Sequence, residues 1–313
     1  MKKFIITIVV FGVGLLGLAY VADYVISKNL RKSTKETLIG WNEIYSGNLQ
    51  SDVVIMGNSR AWVQYSPQIL DSILNVNSYN LSVDGSPINK QILKYDTYRR
   101  FNEKPKYIIQ NIDILTIDLR AGYEREQFFP YFFDNILKIK SSDIEQWSWS
   151  EKHIPCYRYI GYTDLTRAVF GTKNLYPDDY VSVKGYCGVT LKWNGSNLIK
   201  QKEINYSQDT TALSLFDKYL SAAKSEDIKI IFVYAPIYIE GTKKIRNIDG
   251  MYAMYDSIAK KYDIPILDYN YSFISYDTAY FYNAMHLNKT GAELFSVKLA
   301  HDIDSLGILK KNF

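Results

Sequence analysis

Apolar residues recur along the chain with two different periods. Residues 53–56, Val-Val-Ile-Met, are continuously apolar, as in a short strand buried on both faces. Residues 78–81, 107–112, 229–234 and 265–268 read as four further short strands. Between them the period becomes helical. Ile69, Leu70, Ile73 and Leu74 fall on one face after Ser66-Pro67, an N-cap followed by a first-turn proline. Helices are also predicted over 88–101, at Leu213, Phe216, Leu220 and Ala223, over 251–262, and over 290–306 with Phe295, Leu299, Ile303 and Leu306 inward. Alternating strands and helices predict an α/β fold, a five-stranded, flavodoxin-like, doubly wound parallel sheet.

Two stretches depart from that rhythm. After Lys2 and Lys3, residues 4–26 are apolar apart from Asp23, about the length of a membrane-spanning helix. A cleavable signal peptide is the competing reading, but Tyr20 and Val21 stand where small residues are wanted. The expected organisation is an anchor at 1–27, a polar juxtamembrane linker at 28–50 and an α/β domain at 51–313. Lys2 and Lys3 favour a cytoplasmic N-terminus, whereas Lys28, Arg31, Lys32 and Lys35 argue the other way. The second departure is an aromatic-rich insertion at about 121–206, with Phe128-Phe129-Pro130-Tyr131-Phe132-Phe133, Trp147, Trp149 and Gly185-Tyr186-Cys187-Gly188. It reads as a lid beside the sheet, as a satellite core, or as a surface resting on the membrane.

Composition narrows the function classes. The net charge is +4 and the basic residues are dispersed, which argues against a nucleic-acid stripe. Cys156 and Cys187 do not form a metal-binding pair; they read either as one disulfide or as two buried thiols. The 28 tyrosines suggest either a carbohydrate-binding surface or coding bias, since Lys, Asn and Ile are plentiful too. No P-loop, dinucleotide fingerprint or zinc-ligand spacing is present, so neither a metal nor a cofactor is implied.

The candidate chemistry lies at the two ends of the sheet domain. Gly57 permits a sharp turn after the first strand, and Ser59 follows at its carboxyl end, where open α/β sheets hold ligands. His286 precedes the last helix and is the candidate base for Ser59; His153 and His301 read as structural or surface residues. Gly57-Asn58-Ser59-Arg60 resembles the nucleophile block of the SGNH/GDSL hydrolase superfamily. Asn283-x-x-His286-Leu287-Asn288 resembles its C-terminal Asp-x-x-His block, with asparagine in place of aspartate. The resemblance covers about residues 51–306, in the style of membrane-anchored members near polysaccharide O-acetylation proteins.

That resemblance implies a serine esterase or O-acyltransferase outside the cytoplasm, acting on an acylated cell-envelope glycan, with a membrane acyltransferase as a possible partner. Ser59 would be the nucleophile, His286 the base and Asn283 its orienter. The oxyanion donors would be the Ser59 and Gly85 N–H groups and the Asn111 amide; from the residues alone, Gly85 could equally be a turn glycine, and Asn111 a polar strand end with Asp113 capping the next turn. Arg60 would bind an anionic substrate group or lie at the surface beside Asp84. Three readings of Asn283 stay open: a weak orienter, a site where Asp277 or Asp268 supplies the charge, or a slow or inactive protein. The alternative function is a non-catalytic glycan-binding or assembly subunit. Asn288 is expected to cap the last helix, and Lys243, Lys244 and Arg246 to form a solvated loop.

Overall fold

A computed structural model describes residues 1–34, 36–119, 125–162, 180–196, 198 and 203–309 of the 313-residue chain. In chain order its elements are α1 (Lys2–Leu30), α2 (Glu36–Ser46), β1 (Val53–Met56), α3 (Ser59–Gln64), α4 (Pro67–Leu74), β2 (Ser78–Asn80), α5 (Ile88–Phe101), β3 (Tyr107–Asn111), α6 (Asn135–Glu145), α7 (Trp149–His153), β4 (Tyr180–Val183), β5 (Tyr186–Val189), β6 (Ile204–Asn205), α8 (Thr210–Ser225), β7 (Lys229–Tyr234), α9 (Ile239–Thr242), β8 (Ile245–Arg246), α10 (Ile248–Tyr262), β9 (Ile266–Asp268), β10 (Phe281–Asn283), β11 (His286–Leu287) and α11 (Lys289–Ser305). They group into two compact units, Met1–Asn42 with Glu124–Leu175 and Glu43–Tyr123 with Tyr176–Phe313.

The second unit is built on a five-stranded sheet of order β2-β1-β3-β7-β9, parallel throughout. Alternate residues of each strand face opposite layers, as the period of two requires. Val54, Met56, Ile108 and Phe232 pack with Tyr95 of α5, Phe216 of α8 and Tyr255 of α10. Val53, Ile55, Ile109 and Val233 pack with Leu70 of α4 and with Phe295 and Leu299 of α11. The sheet is therefore doubly wound. The strand order reverses between β1 and β3, the place where such sheets open a crevice beyond their carboxyl ends.

The aromatic-rich stretch is divided between the units. Its described residues 125–162 belong with α1, whereas the β4–β5 hairpin belongs with the sheet. The Lys184 carbonyl accepts from the N–H of Asn80, the last residue of β2, at 2.9 Å. A Cβ at Gly185 would lie 2.0 Å from the Asn80 carbonyl oxygen, so only glycine permits this approach. Tyr186 joins the core beneath β1. Residues 120–124, 163–179, 197 and 199–202 of the expected insertion lie outside the described residues, as does Lys35.

In the first unit α1 runs unbroken to Leu30, through the start of the expected linker. It is long and apolar enough to cross a membrane, and it buries only Ile26, Ser27 and Leu30. Phe128, Phe129, Tyr131, Phe132 and Trp147 are buried together as a small aromatic core, whereas Trp149 is 69% exposed. Both cysteines are free thiols, Cys156 partly open and Cys187 buried.

Candidate active site

Ser59 is the first residue of α3, directly after β1 and a two-residue turn. Gly57 fits that turn because a Cβ there would lie 2.5 Å from the Ala61 Cβ and 2.9 Å from the Asn111 Cβ. Asn58 caps α3, its side-chain oxygen accepting from Arg60 N–H at 3.1 Å. The Ser59 N–H, in the first turn, has no intrahelical acceptor and is available to a bound oxyanion.

His286 and Asn283 face each other across the β10–β11 hairpin, whose tight turn is Ala284-Met285. Opposed residues of a hairpin project from the same face, which is what the Asn-x-x-His spacing achieves. The His286 Nε2 lies 2.8 Å from Ser59 Oγ, across 227 positions of sequence. Its Nδ1 lies 3.0 Å from Asn283 Oδ1. The Met285 backbone N–H donates to the same Oδ1 at 2.9 Å. A backbone N–H can only donate, so the asparagine must present its oxygen there. That oxygen in turn requires a proton on Nδ1, which leaves Nε2 bare and facing the serine. Asn283 thereby selects the tautomer a general base needs.

What Asn283 does not provide is charge, and neither Asp277 nor Asp268 takes its place. Asp277 is exposed and accepts from Ala279 N–H at 2.9 Å, while Asp268 accepts from Asn270 N–H at 2.8 Å. Burial and the Arg60 cation both disfavour the imidazolium and push His286 down to about 3. Tyr282 stacks on the imidazole at 5.4 Å. Because the folded-state value lies below the ordinary one, the neutral base persists as pH falls through 6.5. We therefore expect kcat/KM for an activated ester to stay level from about pH 8 to about pH 4. An acid limb centred near the ordinary imidazole value in a pH–rate profile would refute this account of the ring.

Below the nucleophile lies a buried polar network that joins residues far apart in sequence. Asp113, 2% exposed, receives the Asn58 amide at 2.8 and 2.9 Å and the Asn111 amide at 3.1 Å. It also accepts the N–H groups of Leu115 and Thr116 at 2.9 and 3.2 Å, the turn cap expected of it. Arg60, only 4% exposed, lies 3.6 Å from Asp113 and donates to the Ala235 carbonyl. It is thus neither at the surface nor beside Asp84, because the helix that starts at Ser59 turns it inward over the ends of β3 and β7. Asn111 is fully buried; its carbonyl accepts from Tyr65 at 2.9 Å and its amide donates to Asp113. Asn111 therefore braces the floor of the site. Gly85 occupies the turn after β2 with φ +58°, at the same sheet edge. The register Met56↔Gln110 aligns the ends of β1 and β3, so Asn58-x-Arg60 and Asn111-x-Asp113 meet there. Two polar pairs of equal spacing at the ends of adjacent strands were the available signal.

Asn288 caps α11 as expected, accepting from Gly291 N–H at 3.0 Å. His301 and His153 are both exposed, His153 against Trp149. Among the described residues no group of three His, Cys, Asp or Glu side chains is placed to hold a metal ion.

No protein-family model and no curated protein sequence matches the chain. Among solved structures it is similar to a candidate acylhydrolase of Bacteroides fragilis, at 14% identity and a TM-score of 0.40, over 81% of this chain and 86% of that one. It is also similar to a GDSL-like lipase of Bacteroides thetaiotaomicron, at 13% identity and a TM-score of 0.38, over 82% of this chain and 89% of that one.

Proposed function

We propose that this protein is a serine-dependent ester hydrolase or O-acyltransferase of the SGNH/GDSL kind. The observation that carries the reading is the continuous relay from Ser59 Oγ through His286 to Asn283, at 2.8 and 3.0 Å. Ser59 attacks an acyl carbonyl while His286 Nε2 takes its proton. The Ser59 and Gly85 N–H groups receive the oxyanion. His286 returns the proton to the departing alcohol, and water or a sugar hydroxyl then clears the acyl group from Ser59. Asn283 orients the ring and Asp113 holds Asn58 and Arg60 beneath it.

The chain is tethered by α1, with its catalytic unit outside the cytoplasm. Length and apolarity of α1 support the tether, and Lys2 and Lys3 at its start support that orientation. The substrate class, an acylated cell-envelope glycan, rests on the resemblance of the two motif blocks to membrane-anchored relatives.

Fluorophosphonate labelling tests the reading. The full chain in detergent micelles is expected to take up one adduct, mapped by peptide mass to Ser59, and Ser59→Ala is expected to take up none. The uncharged Asn283 and the weakly basic His286 favour a second reading, a glycan-binding subunit that keeps the geometry without turnover. An unlabelled Ser59 beside a labelled control esterase would select that second reading.

A further inference from the structure

The first unit carries exposed apolar side chains beside α1. Trp149 is 69% exposed, Ile154 40%, Tyr157 42% and Ile160 75%. They flank a short segment that is bound to Ala19, Asp23 and Ser27, successive turns on one face of that helix. The Cys156 N–H donates to Asp23 Oδ2 at 2.7 Å, and its thiol donates to the Ala19 carbonyl at 3.3 Å. Arg158 grips the Asp23 carboxylate with both terminal nitrogens, at 2.6 and 2.5 Å. The Tyr159 hydroxyl lies 2.7 Å from Ser27 Oγ.

These contacts set the depth of the segment. At about 1.5 Å per residue, residues 4–22 of α1 are about 28 Å long, close to the roughly 30 Å of a bilayer's hydrocarbon. Asp23 is then the first charge beyond the apolar span, and Arg158 neutralises it at the boundary. Ala19 lies about 5 Å inside that boundary, counted along the helix. A segment whose Cys156 touches both residues straddles the same level. An indole and a phenol beside branched aliphatic side chains suit the interfacial layer, where amphipathic rings are enriched.

We infer that the segment carrying Trp149, Ile154, Tyr157 and Ile160 is immersed in the bilayer interface around the end of α1, so that this protein holds the membrane by a helix and a collar. The inference rests on α1 being a membrane anchor, and its occupant is lipid.

The test uses the full chain in phosphatidylcholine vesicles, with an environment-sensitive fluorophore on Ile160→Cys or Leu15→Cys, each in a Cys156→Ser background. Cys187 is buried and stays unlabelled. The label at 160 is expected to lose about half its emission to lipids spin-labelled near the headgroup, and less to lipids labelled near the bilayer centre, matching immersion of about 5–10 Å. The label at 15 is expected to respond most to the central quencher. Quenching at 15 without quenching at 160 would overturn the collar and leave the anchor standing. Quenching at neither position would remove the anchor and the collar together. A blue-shifted label at 160 that no spin-labelled lipid quenches would show protein, such as a second copy, covering the patch, and would also overturn the inference.

Discussion

Asn283→Asp is expected to raise kcat for an activated ester on the order of 10²- to 10³-fold, since the reverse exchange in a serine protease triad costs about 10⁴. The reason lies in the charge balance of the ring. In the wild type the imidazolium formed during attack meets a neutral carbonyl on one side and feels the Arg60 cation, so the transition state gains no ion-pair stabilisation. A carboxylate at 283 supplies it. The gain corresponds to about 3–4 kcal/mol of transition-state stabilisation. The substitution disturbs little else, because Met285 N–H still has an oxygen to donate to. A second signature goes with it. A carboxylate favours the charged ring, so the imidazole value rises and the acid limb moves up toward neutral pH even as the plateau climbs. Stopped-flow ester hydrolysis across the pH range reads both quantities. A variant with unchanged kcat and an unchanged limb would show that chemistry at Ser59 does not limit turnover, or that His286 is not the base.

The parts of this architecture that could be read from sequence were those with a period. β1 is a continuous apolar run, β3, β7 and β9 each carry an adjacent aliphatic pair, and the helices between them show one apolar face, so the doubly wound sheet follows from pattern. The partnership of Asn283 with His286 was legible for a related reason, since a spacing of three across a tight turn puts two side chains opposite each other. The remainder depended on contacts with no local signature. Arginine is seldom buried without a partner, and the partner of Arg60 lies 53 positions away on another strand's exit, where Asp113 reads simply as a turn cap. Asn111 reads as a donor to substrate because its type and place suit one, yet it is fully buried, with Tyr65 on its side-chain oxygen and Asp113 on its NH2 group. The division of residues 125–162 from the β4–β5 hairpin was equally hidden. Both stretches are rich in aromatic residues, and only tertiary packing separates them.

The Asp113 network leads to the second large effect, on stability. Asp113→Ala leaves Arg60 as a buried cation with the Ala235 carbonyl but without its adjacent carboxylate, the Asp268 charge being felt only from farther off, and removes acceptors for Asn58, Asn111, Leu115 and Thr116. Breaking a buried ion pair from one side costs about 3–5 kcal/mol, because the remaining charge keeps its desolvation penalty. For a unit of roughly 200 residues that loss lowers Tm by about 6–20 °C. The same logic separates charge from packing. Arg60→Met leaves Asp113 with its four N–H donors, so it is expected to cost less than Asp113→Ala. Combining the two removes both charges, and the double variant is expected to be less destabilised than the two single losses added together, by about 1–3 kcal/mol. Calorimetry of the three variants in one detergent closes the cycle. Additive losses would mean that Arg60 and Asp113 share a neighbourhood without sharing charge, and the floor under Ser59 would then have to be held by the asparagine amides and backbone donors alone.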